Sequence, residues 1–288
     1  MAAAGPGEAG YAGNGDVRIA FEDLGGAGGD PLLLVMGLAV SRYWWPPALV
    51  REFVQRGFHV VSYDQRDAGQ STHFPDTGTA NPLVAALRRS SPAYTAEDMT
   101  DDAAAVLDAL GWDSACLFGH SMGGQLAQRM AVRHPGRVRG IVSSASLPGD
   151  TGHLAAGRYI RMGTVARMAR LRFPEGKAGD IALALAAMRM ITTPDYPIDE
   201  PEVRAMAERD EICGARDTAA QSRQAGAKWH GGRMSRIGVP ALILHGTADP
   251  LLRPAAARRA AAAMDDARLV MLPGVGHYLP RPLYPRIA

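Results

Sequence analysis

A chain of 288 residues, 47% hydrophobic and 21% charged, has the balance of one globular domain with a full core. Its net charge of +2 gives no drive toward nucleic acid, and no run is long and apolar enough to span a bilayer. Two cysteines, Cys116 and Cys213, make no disulfide framework, and neither C-x-x-C nor H-E-x-x-H spacing suggests a metal.

Met1 to Glu8 has no basic stretch leading into an apolar one, so a signal peptide is not expected. Residues 1–13 read as a disordered leader, and the protein as cytoplasmic. Asp16 to Asp23 alternates, with Val17, Ile19 and Phe21 on one face, as a half-exposed strand does. After the glycine loop Gly25 to Asp30, Pro31 to Met36 is apolar throughout and reads as a central buried strand ending at Gly37. A helix is expected from Trp45 to Arg56, with Pro46 and Pro47 tolerable only near its start. Phe58 to Tyr63 is another strand, followed by a polar glycine loop from Asp64 to Thr72. Beyond an irregular stretch, Thr95 opens an alanine-rich helix through Leu110, with Thr95 and Asp98 at capping-box spacing.

The run Ala115-Cys116-Leu117-Phe118 suits a buried parallel strand, and Gln125 to Ala131 suits a helix. Between them lies Gly119-x-Ser121-x-Gly123, in the strand-to-helix context that a nucleophile elbow requires. A turn that sharp strains the serine backbone and leaves no room for side chains at the flanking positions. It lifts the Ser121 hydroxyl above the sheet and leaves the Met122 N–H at a helix N-terminus, facing a developing oxyanion. Among 33 glycines, the motif alone also fits an incidental serine in a tight turn, so the rest of the chain decides.

Val138 to Ser144 is a further strand. From Leu147 to Ser235 the strand pattern stops, and Pro174, Pro194, Pro197 and Pro201 divide a stretch rich in Ala, Met and Arg into short helices. Strands resume at Val239 to His245 and Arg268 to Leu272, around a helix from about Ala255 to Met264. Strands alternating with helices predict a mostly parallel sheet covered on both faces, with the chemistry beyond the C-terminal strand ends.

A serine nucleophile needs a base, and the base needs a carboxylate to fix its tautomer. Asp249 and His277 each sit just past a strand, giving the order Ser121, Asp249, His277. Bland readings compete. Asp249 also suits a cap for the helix that Pro250 would begin, and Asp150 is an alternative carboxylate. His245 reads as structural, and His120 is expected to point away from the side to which Ser121 points. Asp64 and Arg66 read as a buried pair anchoring their loop, and the arginines from Arg167 to Arg172 as a solvated face.

From about Asn14 onward the sequence resembles the α/β-hydrolase superfamily, and within it the methylesterases of anthracycline biosynthesis. Leu34-Val35-Met36-Gly37 stands in place of the more usual His-Gly after the third strand. Tyr63-Asp64-Gln65-Arg66-Asp67-Ala68-Gly69-Gln70-Ser71-Thr72 matches their loop, with an aspartate where most relatives have glycine. The resemblance implies an eight-stranded sheet with helices on both faces. It implies a helical cap after the sixth strand, residues 147–235, between core segments 14–146 and 236–288. It implies catalytic roles for Ser121, His277 and Asp249, with the N–H groups of Leu38 and Met122 as the oxyanion hole.

Trp44 and Trp45 suit either the wall of an acyl pocket or packing against the next helix. Met162, Met168, Met188, Met190 and Met206 suit either an adaptable apolar lid or an ordinary helical core. Trp44, Trp45, Met162 and Met188 are the substrate-binding candidates. The expected protein is a serine hydrolase cleaving a carboxylic ester, a methyl ester included, of an apolar small molecule such as a polyketide-type metabolite. It is expected to need no cofactor or metal, to bind neither nucleic acid nor membrane, and to be a monomer or homodimer. The rivals are cyclase, lyase or decarboxylase chemistry on the same triad, or a non-enzymatic ligand-binding role. Only Tyr278 to Ala288 follows His277, so the closing helix usual in relatives would be barely begun.

Overall fold

The computed structural model describes residues 9–75, 93–210 and 213–288. Residues 1–8 of the expected leader and 76–92 of the irregular stretch lie outside the described residues. The strands are β1 (Ala9–Asn14), β2 (Val17–Gly25), β3 (Asp30–Val35), β4 (Phe58–Tyr63), β5 (Ala115–His120), β6 (Val138–Ser144), β7 (Ala241–Gly246) and β8 (Ala267–Leu272). They form one eight-stranded sheet in the order β1-β2-β4-β3-β5-β6-β7-β8. β2 pairs antiparallel with both β1 and β4, and every other neighbouring pair is parallel.

The apolar run of β3 is buried because side chains of alternating residues meet two different helix layers. Leu33 and Val35 join Leu117, Ile141 and Ile243 under α2 (Ala96–Leu110) and α3 (Met122–Arg133). Leu32 and Leu34 join Phe118 and Leu244 under α1 (Pro47–Gln55), on the opposite face. Thr95 and Asp98 form the expected capping box: Thr95 Oγ1 accepts from the Asp98 N–H at 3.2 Å, and Asp98 Oδ2 accepts from the Thr95 N–H at 2.7 Å.

Two expectations need correction. The leader was expected to extend to residue 13, but β1 begins at Ala9 and pairs in register with β2. One glycine of this stretch, Gly10, is sheltered by a neighbour. The Phe21 ring lies over Gly10 so closely that a side chain there would overlap it, Ala12 is buried, and the Arg18 guanidinium stacks 4.1 Å from the Tyr11 ring. Asp64 and Arg66 are not partners of each other. Arg66 reaches α2, where Asp102 offers both oxygens at 2.6 and 2.7 Å, and Asp64 pairs with Arg42 while accepting from the Gln70 N–H at 2.9 Å. A two-pronged guanidinium is better matched by a carboxylate facing it from another element than by one two residues away.

Between β6 and β7 the chain forms α4 (His153–Ala156), α5 (Met162–Met168), α6 (Lys177–Met190), α7 (Glu200–Arg209) and α8 (Thr218–Gly226). Ile181, Leu185, Val203 and Met206 form a small core of their own, joined by Tyr278 from beyond β8. After α9 (Ala255–Ala261) and β8, the last residues form the one-turn helix α10 (Tyr284–Ile287), which buries Tyr284 and Ile287 against the α1 face. No helix among the described residues is long and apolar enough to cross a membrane.

Asp102→Ala would leave the Arg66 cation buried and unpaired. We expect it to lower stability by about 3–5 kcal/mol in urea denaturation. The double replacement Asp102→Leu with Arg66→Met should cost markedly less, because no charge is left stranded.

Candidate active site

At the end of β5 the chain turns into α3 through Ser121, whose backbone lies at φ 55, ψ −123. For a residue with a side chain this conformation costs about 1–3 kcal/mol. It is held by the Ser121 N–H donating to the Ser144 carbonyl at 2.8 Å and by the Gly124 N–H donating to the Ser121 carbonyl at 3.0 Å. The flanking glycines are required by contact. A Cβ on Gly119 would overlap the Gly123 carbonyl, and one on Gly123 would overlap the Val35 carbonyl of β3. The loop after β3 also comes close, since a Cβ built on Gly37 would lie 3.3 Å from the Ser121 Cβ.

His277, in the loop after β8, lies with Nε2 3.0 Å from Ser121 Oγ and Nδ1 2.8 Å from Asp249 Oδ2. Its backbone N–H donates to the Ile191 carbonyl at 2.8 Å, so the residue after α6 fixes where the imidazole is hung. Asp249 follows β7 and is fully buried. Its two oxygens divide the work: Oδ1 accepts from the Leu251 and Leu252 N–H groups at 2.7 and 2.8 Å, and Oδ2 faces His277. The helix-cap reading of Asp249 does not hold, because no helix begins at Pro250: the next one starts at Ala255, and Oδ1 closes a turn over Leu251 and Leu252 instead. Burial pushes the Asp249 carboxyl up, but His277, the Leu252 N–H and His245 outweigh it and hold the group below the usual carboxylate value. An ionised, oriented carboxylate behind a histidine stabilises that histidine's cation.

The other candidates separate. His245 is buried with Nε2 3.4 Å from the Leu252 carbonyl and 3.5 Å from Asp249 Oδ2, and burial above all holds its pKa down. It backs Asp249 rather than serving Ser121. His120 does not point away. Its ring centre lies 5.2 Å from that of His277, and its Nδ1 is 3.3 Å from Ser144 Oγ. Burial first and the His277 charge second push its pKa down to about 3, so a neutral ring supports the imidazole. Asp150 pairs with Arg259 at 3.3 Å and does not take the place of Asp249.

The N–H groups of Leu38 and Met122 find no acceptor among the described residues. Met122 opens α3 and Leu38 follows Gly37, so both donors lie on segments that touch Ser121. Of the substrate-binding candidates, Trp45 packs edge-on against Phe118, with ring centres 5.6 Å apart, in the sheet core. Shape selects the core there, not an acyl pocket. Trp44 is half-buried and donates from Nε1 to Asp210 Oδ2 at 2.6 Å, tying the loop after β3 to the end of α7. Met162 is 60% exposed, whereas Met188 packs on the small core that includes Ile191, the residue bound to His277. Met168 and Met206 belong to that same core and follow the helical-core reading. The Ile191 carbonyl and the Gly37 approach carry no local signal in the sequence, because their partners come from distant segments.

Six parallel strands with helices on both faces, and a serine, histidine and aspartate hydrogen-bonded in series beyond the strand ends, define a hydrolase-type α/β architecture. The family model for the alpha/beta hydrolase fold matches residues 30–280, and the chain belongs to that family, as an enzyme of the hydrolase class. Its relatives include rhodomycin D methylesterase DnrP of Streptomyces peucetius, 26% identical over 96% of this chain and 94% of that protein. Rhodomycin D methylesterase DauP of Streptomyces sp. (strain C5) is 25% identical over 95% and 93%. An alpha/beta hydrolase fold protein from Chitinophaga pinensis superposes with a TM-score of 0.68 at 18% identity, covering 96% of this chain and 92% of that one.

The shifted histidine sets an acid limb of stability. Native His120 takes up its proton near pH 3, whereas its ordinary value is 6.5, so between these values the unfolded chain holds the extra proton. Stability therefore rises with pH across that window. Asp249, held low, adds stability that is present above the ordinary carboxylate value and lost as pH falls through its native one. Urea titrations of His120→Gln at several pH values should show a smaller slope than the native chain between about pH 3 and 6.5. An unchanged slope would contradict the neutral ring.

Proposed function

We propose that the protein is a serine esterase that cleaves a carboxylic ester of an apolar small molecule through an acyl-enzyme on Ser121. The observation that carries this reading is the unbroken series from Ser121 Oγ to His277 Nε2 at 3.0 Å and from His277 Nδ1 to Asp249 Oδ2 at 2.8 Å. In this reading His277 Nε2 takes the Ser121 proton as Oγ attacks the ester carbonyl. The carbonyl oxygen gains negative charge and accepts from the Leu38 and Met122 N–H groups. Asp249 Oδ2 steadies the imidazolium. The tetrahedral intermediate collapses, the C–O bond to the alcohol breaks, and the alcohol leaves with the proton from Nε2. Water, deprotonated by the same nitrogen, then attacks the acyl carbon and frees Ser121.

The substrate reading rests on the relatives and on apolar helices around the site. Both named relatives are methylesterases, and the small core beside His277 is built from Ile191, Met188 and their neighbours. We therefore place methyl esters of aromatic, polyketide-type molecules first among substrates, with methanol as the leaving alcohol.

The test is methanol release from a panel of such esters. Ser121→Ala should be reduced to background. Asp249→Asn, which supplies a donor where His277 needs an acceptor, should lower kcat by about 10³–10⁴-fold. Retention of most turnover in Ser121→Ala would overturn the mechanism.

A further inference from the structure

The loop that carries the Leu38 N–H is not held by its own strand. Ala39, next in the chain, stands at φ 52, a left-handed conformation that an alanine adopts only under constraint. The constraint comes from the helices between β6 and β7. The Ala39 N–H donates to Gln224 Oε1 on α8 at 2.6 Å, and Gln224 Nε2 donates in turn to the Arg66 carbonyl at 2.7 Å. Gln224 is buried, so its amide is spent entirely on joining these two loops. From the other side, Gly214 lies against the Ala39 carbonyl so closely that any Cβ on it would overlap that oxygen. Further along the same loop, Asp210 accepts from Ser41 Oγ at 2.9 Å and from Trp44 Nε1 at 2.6 Å.

On the esterase reading above, we infer that Gln224 is a positioning residue for the oxyanion hole, holding Ala39 in its left-handed turn so that the preceding Leu38 N–H stays aimed at the carbonyl oxygen of the substrate. The direction of an N–H follows from the dihedrals on either side of its peptide plane. Gly37 offers almost no resistance to rotation there. Ala39 closes the turn in which the Val40 N–H donates to the Gly37 carbonyl at 3.5 Å, so its relaxation toward negative φ would open that turn and free the Leu38 peptide to rotate. The Met122 donor needs no such help, because α3 fixes it. The two halves of the oxyanion hole are thus built differently, one by the sheet and one by the inserted helices. Any rearrangement of those helices is transmitted to a group that touches the reacting atoms.

Such a device acts on the transition state more than on the ground state, because the oxyanion gains its full charge only there. The experiment compares Gln224→Met, Gly214→Ala and the double variant Gln224→Met with Ala39→Gly against the native chain. Gln224→Met should lower kcat for a methyl ester by about 10–100-fold, with KM within about twofold. The inhibition constant of an aryl boronic acid, whose adduct on Ser121 mimics the tetrahedral state, should rise by a similar factor. Gly214→Ala, which pushes on the same turn from the opposite side, should act in the same direction. Adding Ala39→Gly should restore part of kcat and of boronate affinity, since glycine adopts the left-handed turn without a clamp.

Thermal denaturation of each variant separates lost folding from lost positioning. If the native chain neither turns over methyl esters nor takes a fluorophosphonate on Ser121, the esterase reading fails and this inference fails with it. If the native chain is active while folded Gln224→Met and Gly214→Ala keep native kcat and native boronate affinity, only the inference is overturned.

Discussion

Everything at the site depends on one close approach of backbones. Gly123, in the first turn of α3, rests against the Val35 carbonyl at the end of β3, and Gly119, in β5, rests against the Gly123 carbonyl. No side chain fits between them, so the strand-to-helix turn cannot open. The Ser121 backbone pays for this in strain, and its hydroxyl is left raised above the strand ends. The sheet therefore sets the position of the Ser121 hydroxyl to within the small play that close-packed backbones allow.

Around that fixed point the remaining groups are hung from different parts of the chain. Asp249 is pinned by two N–H groups of its own loop, His277 by the Ile191 carbonyl, and the loop bearing Leu38 by Gln224 and Asp210. Three of these anchors belong to the segment between β6 and β7. That segment supplies none of the three hydrogen-bonded side chains, yet it supports two of the elements around them. Its core of Ile181, Leu185, Val203 and Met206 is apart from the cores that cover the sheet and is joined by Tyr278 from beyond β8. The placement of neutral His120 and His245 around the His277–Asp249 pair adds polar bulk without adding a second charge.

Much of this was legible in the sequence wherever a local pattern carries the information. Ser121, Asp249 and His277 each follow an apolar strand, and their order along the chain let the three be grouped before any distance was known. The capping box of Thr95 and Asp98 was legible for the same reason, since its partners lie three residues apart. What was hidden depends on contacts between distant segments. β1 looked disordered because the cover for Gly10 comes from Phe21 across a hairpin. Trp45 looked available to a pocket because the Phe118 ring that claims it comes from another strand. The Arg42 and Asp102 partners of Asp64 and Arg66, and the reach of Gln224 to Ala39, leave no periodicity or motif behind.

The central claim is that Ser121 is an activated nucleophile within an assembled site. Intact mass after treatment with a fluorophosphonate tests it most directly, on the native chain and on Ser121→Ala in parallel. The account predicts one adduct on the native chain and none on the variant. Equal labelling of both, or no labelling of a folded native chain, would contradict it.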